Sequence, residues 1–211
     1  MGKQKKRFIK IKADEALKVE SEKLDKETLI ESGWVGFFDG ICEPYKTSGR
    51  VGYGAVLLYR GAVIDSVSLM GEGTIHEGVY WGLIALLKLA LKAGCNRDLV
   101  IFGDSMLVLL QVLGGWRCHQ PHLNKLREQV MQLKGGIKPC GLWWIHDSEN
   151  RADPYSHRAL EQFLKKEDSS VQRYFERQRL IKEAHDSGSD LALRLADAME
   201  SLEREVQELK Q

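Results

Sequence analysis

The sequence predicts an α/β fold: a mixed five-stranded sheet with helices on both faces, followed by a helical C-terminal extension. Two observations carry this prediction. Five short apolar segments rich in β-branched and aromatic residues alternate with segments of helical periodicity, in the order β-β-β-α-β-α-α-β-α. The 211 residues, 43% of them hydrophobic, are enough for one globular domain with extensions.

Three strands are predicted before the first long helix. They are VGFFD, GYGAVLLYR and GAVIDSVSLM, and Arg60-Gly61 indicates a hairpin turn between the last two. The fourth strand, LVIFGD, is apolar up to its final Gly-Asp, which is typical of a strand buried on both faces. The fifth strand is GLWWIH.

Four helices complete the domain. The first is predicted from Val79 to Ala93, where Gly94 ends it. The others are predicted at Ser105 to Leu113, at His122 to Leu133 and from Pro154 to about Lys165.

Both ends of the chain differ from this central part. Residues 1–32 form a charged extension whose first twelve residues hold six basic side chains and no acid, a composition found in nucleic-acid-binding arms and in solvated leaders. Residues 33–165 form the domain, and residues 166–211 form a helical extension. Apolar residues at heptad spacing within 191–209 predict packing against the domain or a partner helix, including self-association.

The sequence favours an intracellular protein without a membrane span. No apolar run approaches the roughly 18 residues that a spanning helix needs. The four cysteines are scattered without a C-x-x-C pair, which indicates reduced thiols. We therefore expect a cytoplasmic location, with the nucleoid or the nucleus as alternatives.

Three aspartates stand at the ends of predicted elements. Asp39 ends the first strand, Asp104 ends the fourth, and Asp153 stands where the last helix begins. Oxygen ligands of this kind suit Mg²⁺ or Mn²⁺, and two such ions can activate water in phosphodiester hydrolysis. Each acid alone also fits a turn or helix cap, but their joint order favours a metal site.

The order and spacing of these segments resemble the ribonuclease H type 1 family, including the related domains of reverse transcriptases. The resemblance covers roughly residues 34–165 and rests on six stretches: FDGIC, GYGAVL, YWGLIALLKLALKAG, IFGDSMLVLLQV, PHLNKLREQV and WWIHDSENRADPYSHRAL. It implies a two-metal-ion endonuclease that hydrolyses the RNA strand of RNA–DNA hybrids. It also implies that Asp39, Asp104 and Asp153 are three of its four metal-binding carboxylates.

The fourth carboxylate of that family is missing from its usual place. The resemblance puts a glutamate immediately before Tyr80, where this chain has Val79. In a continuing helix two residues turn the side chain by roughly 200°, so Glu77 would point to the opposite face from position 79. Glu77 could replace the missing glutamate as a metal ligand and catalytic residue only if the helix begins later than predicted, with residues 75–78 as a loop made flexible by Gly78. The resemblance also suggests His146, after the fifth strand, for proton transfer or product release; a half-exposed strand-end histidine is the alternative.

Two classes of function therefore remain open. One is a metal-dependent nuclease whose activity is impaired by Val79. The other is a catalytically weak or inactive nucleic-acid-binding or assembly module with the same fold. For either class the expected partner is an RNA–DNA hybrid or double-stranded nucleic acid. An aromatic side chain can stack on a nucleic-acid strand, and basic side chains around it can neutralise the phosphates. The candidate contact residues of this kind are Trp116, Arg117, Lys125 and Arg127.

Overall fold

The computed structural model describes residue 18, residues 25–44 and residues 48–166. The chain divides into two compact units, Met1–Phe163 and Leu164–Gln211. The predicted basic arm at residues 1–12 and the heptad segment at residues 191–209 lie outside the described residues. No helix in the described part of the chain is long and apolar enough to cross a membrane.

The five predicted strands form one sheet. They are β1 (Trp34–Glu43), β2 (Gly49–Tyr59), β3 (Ala62–Gly73), β4 (Leu99–Gly103) and β5 (Cys140–Trp144). Their spatial order is β3-β2-β1-β4-β5. The β1–β2 and β2–β3 pairs are antiparallel, and the β1–β4 and β4–β5 pairs are parallel. The prediction of a mixed five-stranded sheet is confirmed.

The helices that follow the first three strands occur in the predicted order, and one further helix precedes β1 in the segment predicted to be a charged extension. They are α1 (Lys26–Ser32), α2 (Ile75–Lys92), α3 (Met106–Leu113), α4 (Pro121–Lys134) and α5, which begins at residue 153 and reaches residue 166. A short 3-10 helix, Asp147–Glu149, lies between β5 and α5.

Two apolar cores show that helices cover both faces of the sheet. Alternate residues of β1 divide between them, because successive strand side chains point to opposite faces. Phe38 joins the larger core with α2, α3 and α4. Val35 and Phe37 join the second core with Ile30 of α1 and Ala152. The end of β1 therefore lies between helices from both layers.

The first long helix begins four residues earlier than predicted. The prediction placed its start at Val79, but α2 begins at Ile75 with Thr74 as its N-cap. Thr74 and Glu77 form a capping box, in which each side chain accepts a hydrogen bond from the other residue's backbone N–H. The T-x-x-E signature stands in the sequence, and Gly78, which suggested a flexible loop, is buried inside the helix.

Candidate active site

Asp39 lies where β1 separates from β4, rather than at the end of a strand as predicted. Strand β1 continues to Glu43 in its antiparallel pairing with β2. Its parallel pairing with β4 stops earlier, at Phe37 and Phe102. Asp39 and Asp104 each lie two residues beyond this last pair (39 − 37 and 104 − 102). Both acids are thus at the C-terminal end of the same parallel pair, where open α/β sheets bind ligands.

Glycines allow the chain to pack closely around Asp39. A Cβ atom on Gly82 of α2 would lie 2.5 Å from the Asp39 carbonyl oxygen, and one on Gly40 would lie 2.3 Å from the Val79 nitrogen. Contacts this short exclude a side chain at either glycine. The backbone of α2 therefore lies directly on β1 beside Asp39, which is only 7% exposed.

Asn150 and Trp144 hold Asp104 at the gap between β1 and β4. The buried Asn150 amide donates to the Phe38 carbonyl at 3.0 Å and to Asp104 Oδ2 at 3.2 Å. The Trp144 indole Nε1 donates to the Asp104 backbone carbonyl at 3.0 Å. Ser105, rather than Asp104, caps α3, because its side chain accepts from the Val108 N–H. The Asp104 carboxylate is therefore not used as a helix cap.

Asp153 lies in the first turn of α5, on the opposite face of the sheet from α2. Its Oδ1 lies 3.4 Å from His157 Nε2, one helical turn further on. Ser156 of the same helix is fully buried and hydrogen-bonds Asp39 Oδ2 through its hydroxyl. These contacts bring α5 against β1 at the position of Asp39.

The three aspartates interact electrostatically around Asp39. Burial raises the pKa of Asp39, the charge of Asp153 raises it further, and hydrogen bonds from Ser156 and the Gly40 N–H oppose the shift. Burial also raises the pKa of Asp104 to about 6, with the charge of Asp39 adding to the effect and the Asn150 hydrogen bond opposing it. Asp39 is therefore coupled electrostatically to Asp104 on one side and to Asp153 on the other.

The raised pKa of Asp104 makes stability depend on pH. Because its folded pKa, about 6, exceeds the ordinary 3.8, the folded state favours the protonated form. That stabilisation is complete below about pH 4 and is lost as pH rises through 6. In metal-free buffer, Asp104→Asn should therefore gain about 2 kcal/mol of unfolding free energy relative to the unaltered chain between pH 4 and 7.5. Urea unfolding of both proteins at the two pH values measures this gain; an equal difference at both values contradicts it.

In this structure Glu77 caps α2, and the apolar Val79 occupies the place of the missing carboxylate. Val79 is 4% exposed and belongs to the larger core. Glu77 Oε2 accepts hydrogen bonds from Thr74 N at 2.8 Å and Thr74 Oγ1 at 2.9 Å. Since α2 is helical through both positions, Glu77 faces away from the direction of Val79. The later helix start that Glu77 needed in order to reach the other acids is not observed.

The capping role of Glu77 leads to a separate prediction. Glu77→Ala removes its bonds to Thr74, so the unfolding free energy should fall by about 1 kcal/mol, as for loss of other helix caps. Mn²⁺ affinity should stay unchanged, because the Glu77 carboxylate is engaged in capping α2. Urea denaturation and Mn²⁺ titration of this variant measure the two effects, with the exposed Glu72→Ala as control. A tenfold loss of Mn²⁺ affinity in Glu77→Ala alone would make Glu77 a ligand.

His146 lies in the loop after β5, with a side chain 66% exposed. Its Nδ1 faces Asp147 Oδ1 and lies 2.9 Å from Ser148 Oγ. Asp147 is the loop residue whose charge reaches Asp104 and raises its pKa, after the larger effects of burial and Asp39. His146 is thus an exposed side chain that contacts Asp147, the loop residue whose charge acts on Asp104.

Asp39 and Asp104 fit a divalent cation that keeps several water ligands better than one coordinated by protein side chains alone. Within the described ranges, no lysine or arginine forms an ion pair with Asp39 or Asp104, so a cation would relieve their repulsion. No three His, Cys, Asp or Glu side chains in those ranges already form a group that could hold a metal ion. Mg²⁺ commonly binds through one or two carboxylates, water and substrate phosphate, and the pair is compatible with this mode.

The predicted basic and aromatic contact residues separate into two groups. Arg127 Nε donates to the Gln111 carbonyl at 2.7 Å, and the partly buried Trp116 packs against the larger core. These two residues join α4 and the segment after α3 to the domain. Arg117 and Lys125 are exposed and available to a polyanion.

Sequence reasoning missed the residues that hold the aspartates. Asn150 and Ser156 contact β1 across 112 and 117 residues of sequence, so no local pattern connects them to it. One signal was present. Ser156 and His157 stand three and four residues after Asp153, which places them on the same side of a helix.

Comparisons with known proteins agree with this architecture. Residues 37–155 match the family described as reverse transcriptase-like. Ribonuclease HI of Halobacterium salinarum is 29% identical over 126 residues, which are 59% of this chain and 63% of that protein. The bifunctional protein Rv2228c of Mycobacterium tuberculosis is 32% identical over 117 residues, 54% of this chain and 32% of that protein. The chain thus matches less than two thirds of the length of either relative.

Solved structures of the same two proteins have the same fold. The N-terminal RNase H domain of Rv2228c is 28% identical, with a TM-score of 0.60 over 64% of this chain and 98% of that chain. RNase H1 of Halobacterium salinarum is 27% identical, with a TM-score of 0.58 over 62% of this chain and 99% of that chain. The chain therefore belongs to the reverse transcriptase-like family and has the fold of a type 1 ribonuclease H.

Proposed function

We propose that this chain binds RNA–DNA hybrids and hydrolyses their RNA strand slowly, in a reaction that depends on Mg²⁺ or Mn²⁺. The observation that carries the proposal is the position of Asp39 and Asp104, both two residues beyond the last paired residues of adjacent parallel strands. The 29% sequence identity to ribonuclease HI of Halobacterium salinarum supports the choice of substrate. We also infer an intracellular location, in keeping with four cysteines that form no disulfide.

Each residue of the cluster has a proposed role. Asp39 and Asp104 bind the cation, and Asp153, held beside His157, completes the site from α5. A divalent cation held there supplies Lewis-acid activation of water and neutralises charge at the scissile phosphate. Asn150 keeps the Asp104 carboxylate turned toward β1 through its two donated hydrogen bonds.

His146 is proposed to move a proton at the edge of the site. Its Nδ1 is engaged by Asp147 and Ser148, so Nε2 is the ring nitrogen that can face a bound strand. Because the side chain is exposed, the imidazole can exchange that proton with water, as a general acid–base group must.

Slow hydrolysis follows from the residue at position 79. The valine there is buried and apolar, so one cation lacks a protein ligand that the resemblance leads us to expect. The same observation favours a second candidate function, a hybrid-binding module without cleavage. The heptad segment at residues 191–209 extends this second candidate to an assembly role through self-association.

Two measurements on the unaltered chain separate the candidates. Fluorescence anisotropy with a labelled RNA–DNA hybrid tests binding, and gel analysis of the labelled RNA strand in Mn²⁺ tests cleavage. We expect binding, with slow cleavage that EDTA abolishes. Binding without any Mn²⁺-dependent cleavage selects the module, and failure to bind the hybrid contradicts both candidates.

A further inference from the structure

The hydroxyl of Ser156 joins α5 to the carboxylate of Asp39. Ser156 is fully buried, and its Oγ hydrogen-bonds Asp39 Oδ2 and lies 2.9 Å from the Asp153 carbonyl oxygen. A hydroxyl carries one proton and can donate to only one of these acceptors at a time. An ionised carboxylate is the stronger acceptor, so Ser156 donates to Asp39 when Asp39 is charged.

Two glycines of β2 permit this contact. Gly54 is the partner of Asp39 across the β1–β2 pair. A Cβ atom on Gly54 would lie 2.7 Å from the Ser156 nitrogen, and one on Gly52 would lie 2.2 Å from the Ser156 carbonyl oxygen. A side chain at either glycine would force α5 away from the sheet. Helix α5 therefore lies on the strand backbone, within hydrogen-bonding distance of Asp39.

We propose that Ser156 is a positioning residue for the cation site. Its hydroxyl holds Oδ2 of Asp39, so the carboxylate would be oriented before a cation binds. The same bond sets the distance between Asp39 and Asp153, which lies one helical turn before Ser156. This inference rests on the proposed function, because it concerns the cation that this function requires.

A second serine offers a matched control. Ser68 of β3 donates through Oγ to the Tyr155 carbonyl at 2.6 Å, so it also holds α5 against the sheet. Its hydroxyl is bonded to a backbone carbonyl of α5 instead of a carboxylate. If Ser156 served only to attach α5, removing either hydroxyl would have the same consequence.

Mn²⁺ binding to the full chain, followed by the EPR signal of free Mn²⁺, tests the proposal. Ser156→Ala should weaken Mn²⁺ binding by about tenfold, as for other hydrogen-bond partners of metal ligands. Ser68→Ala should stay within about twofold of the unaltered chain, and Ser156→Thr, which keeps the hydroxyl, should recover most of the affinity. Thermal unfolding of each variant confirms that it is folded.

Three results would overturn the proposal. Unchanged Mn²⁺ affinity in Ser156→Ala overturns it while leaving the proposed function intact. An equal loss in Ser68→Ala shows that attachment of α5 is what matters, and again leaves the function intact. Absence of Mn²⁺ binding by the unaltered chain overturns the proposed function and this inference together.

Discussion

Replacing Val79 by glutamate is expected to raise metal-dependent cleavage of an RNA–DNA hybrid by about two orders of magnitude, equivalent to about 3 kcal/mol at the transition state. The physical reason is proximity. The backbone of Val79 lies on Gly40, the residue after Asp39, so a carboxylate introduced there adds a ligand beside the existing pair. Single-turnover cleavage rates of the two proteins in Mn²⁺ measure the gain.

The control for this variant is Val79→Gln, which has nearly the same shape without the charge. Both substitutions place a polar group at a position that is 4% exposed, so both should lower stability. Only the glutamate variant should regain stability in Mn²⁺, because only its charge is neutralised. Fast cleavage by the unaltered chain that disappears in Glu77→Gln would contradict this account and make Glu77 the fourth ligand.

Asp39→Asn is expected to abolish residual cleavage and to weaken Mn²⁺ binding by at least about 30-fold. Asp39 is the acid whose charge acts on Asp104, and Asp153 in turn acts on Asp39. Removing its charge therefore removes the centre of the cluster. Isothermal titration with Mn²⁺ and the hybrid cleavage assay measure the two losses.

This loss should occur without unfolding. Asparagine keeps the shape of the side chain, and a neutral group suits a buried position where burial already raises the pKa of the aspartate. The exposed Asp98→Asn is the matched control, because its positive φ of 56° is a conformation that asparagine tolerates. Retention of full Mn²⁺ affinity in Asp39→Asn would remove Asp39 from the site.

The sequence predicted the sheet well because burial leaves a direct pattern in it. The run Leu99–Phe102 is apolar because β4 is an interior strand of the sheet, between β1 and β5. Asp104 directly follows Gly103, the last residue of that strand, so the apolar run predicted its place at the C-terminal end of β4. The family match over residues 37–155 extends from β1 into α5.

The environment of the acids could not be read in the same way. The bond between Ser156 and Asp39 spans 117 residues and depends on how closely α5 packs on Gly52 and Gly54. The start of α2 was misplaced for a different reason. The prediction started the helix with the apolar run at Val79, although the capping box between Thr74 and Glu77 stabilises a first turn that begins four residues earlier.

The most direct test of the central claim is X-ray diffraction at the manganese absorption edge from crystals of the unaltered chain soaked in Mn²⁺. We expect an anomalous difference peak at the C-terminal end of β1 and β4, with Asp39 and Asp104 as protein ligands and water in the remaining positions. A peak held by Glu77, or no peak beside Asp39 at a saturating Mn²⁺ concentration, would contradict the account.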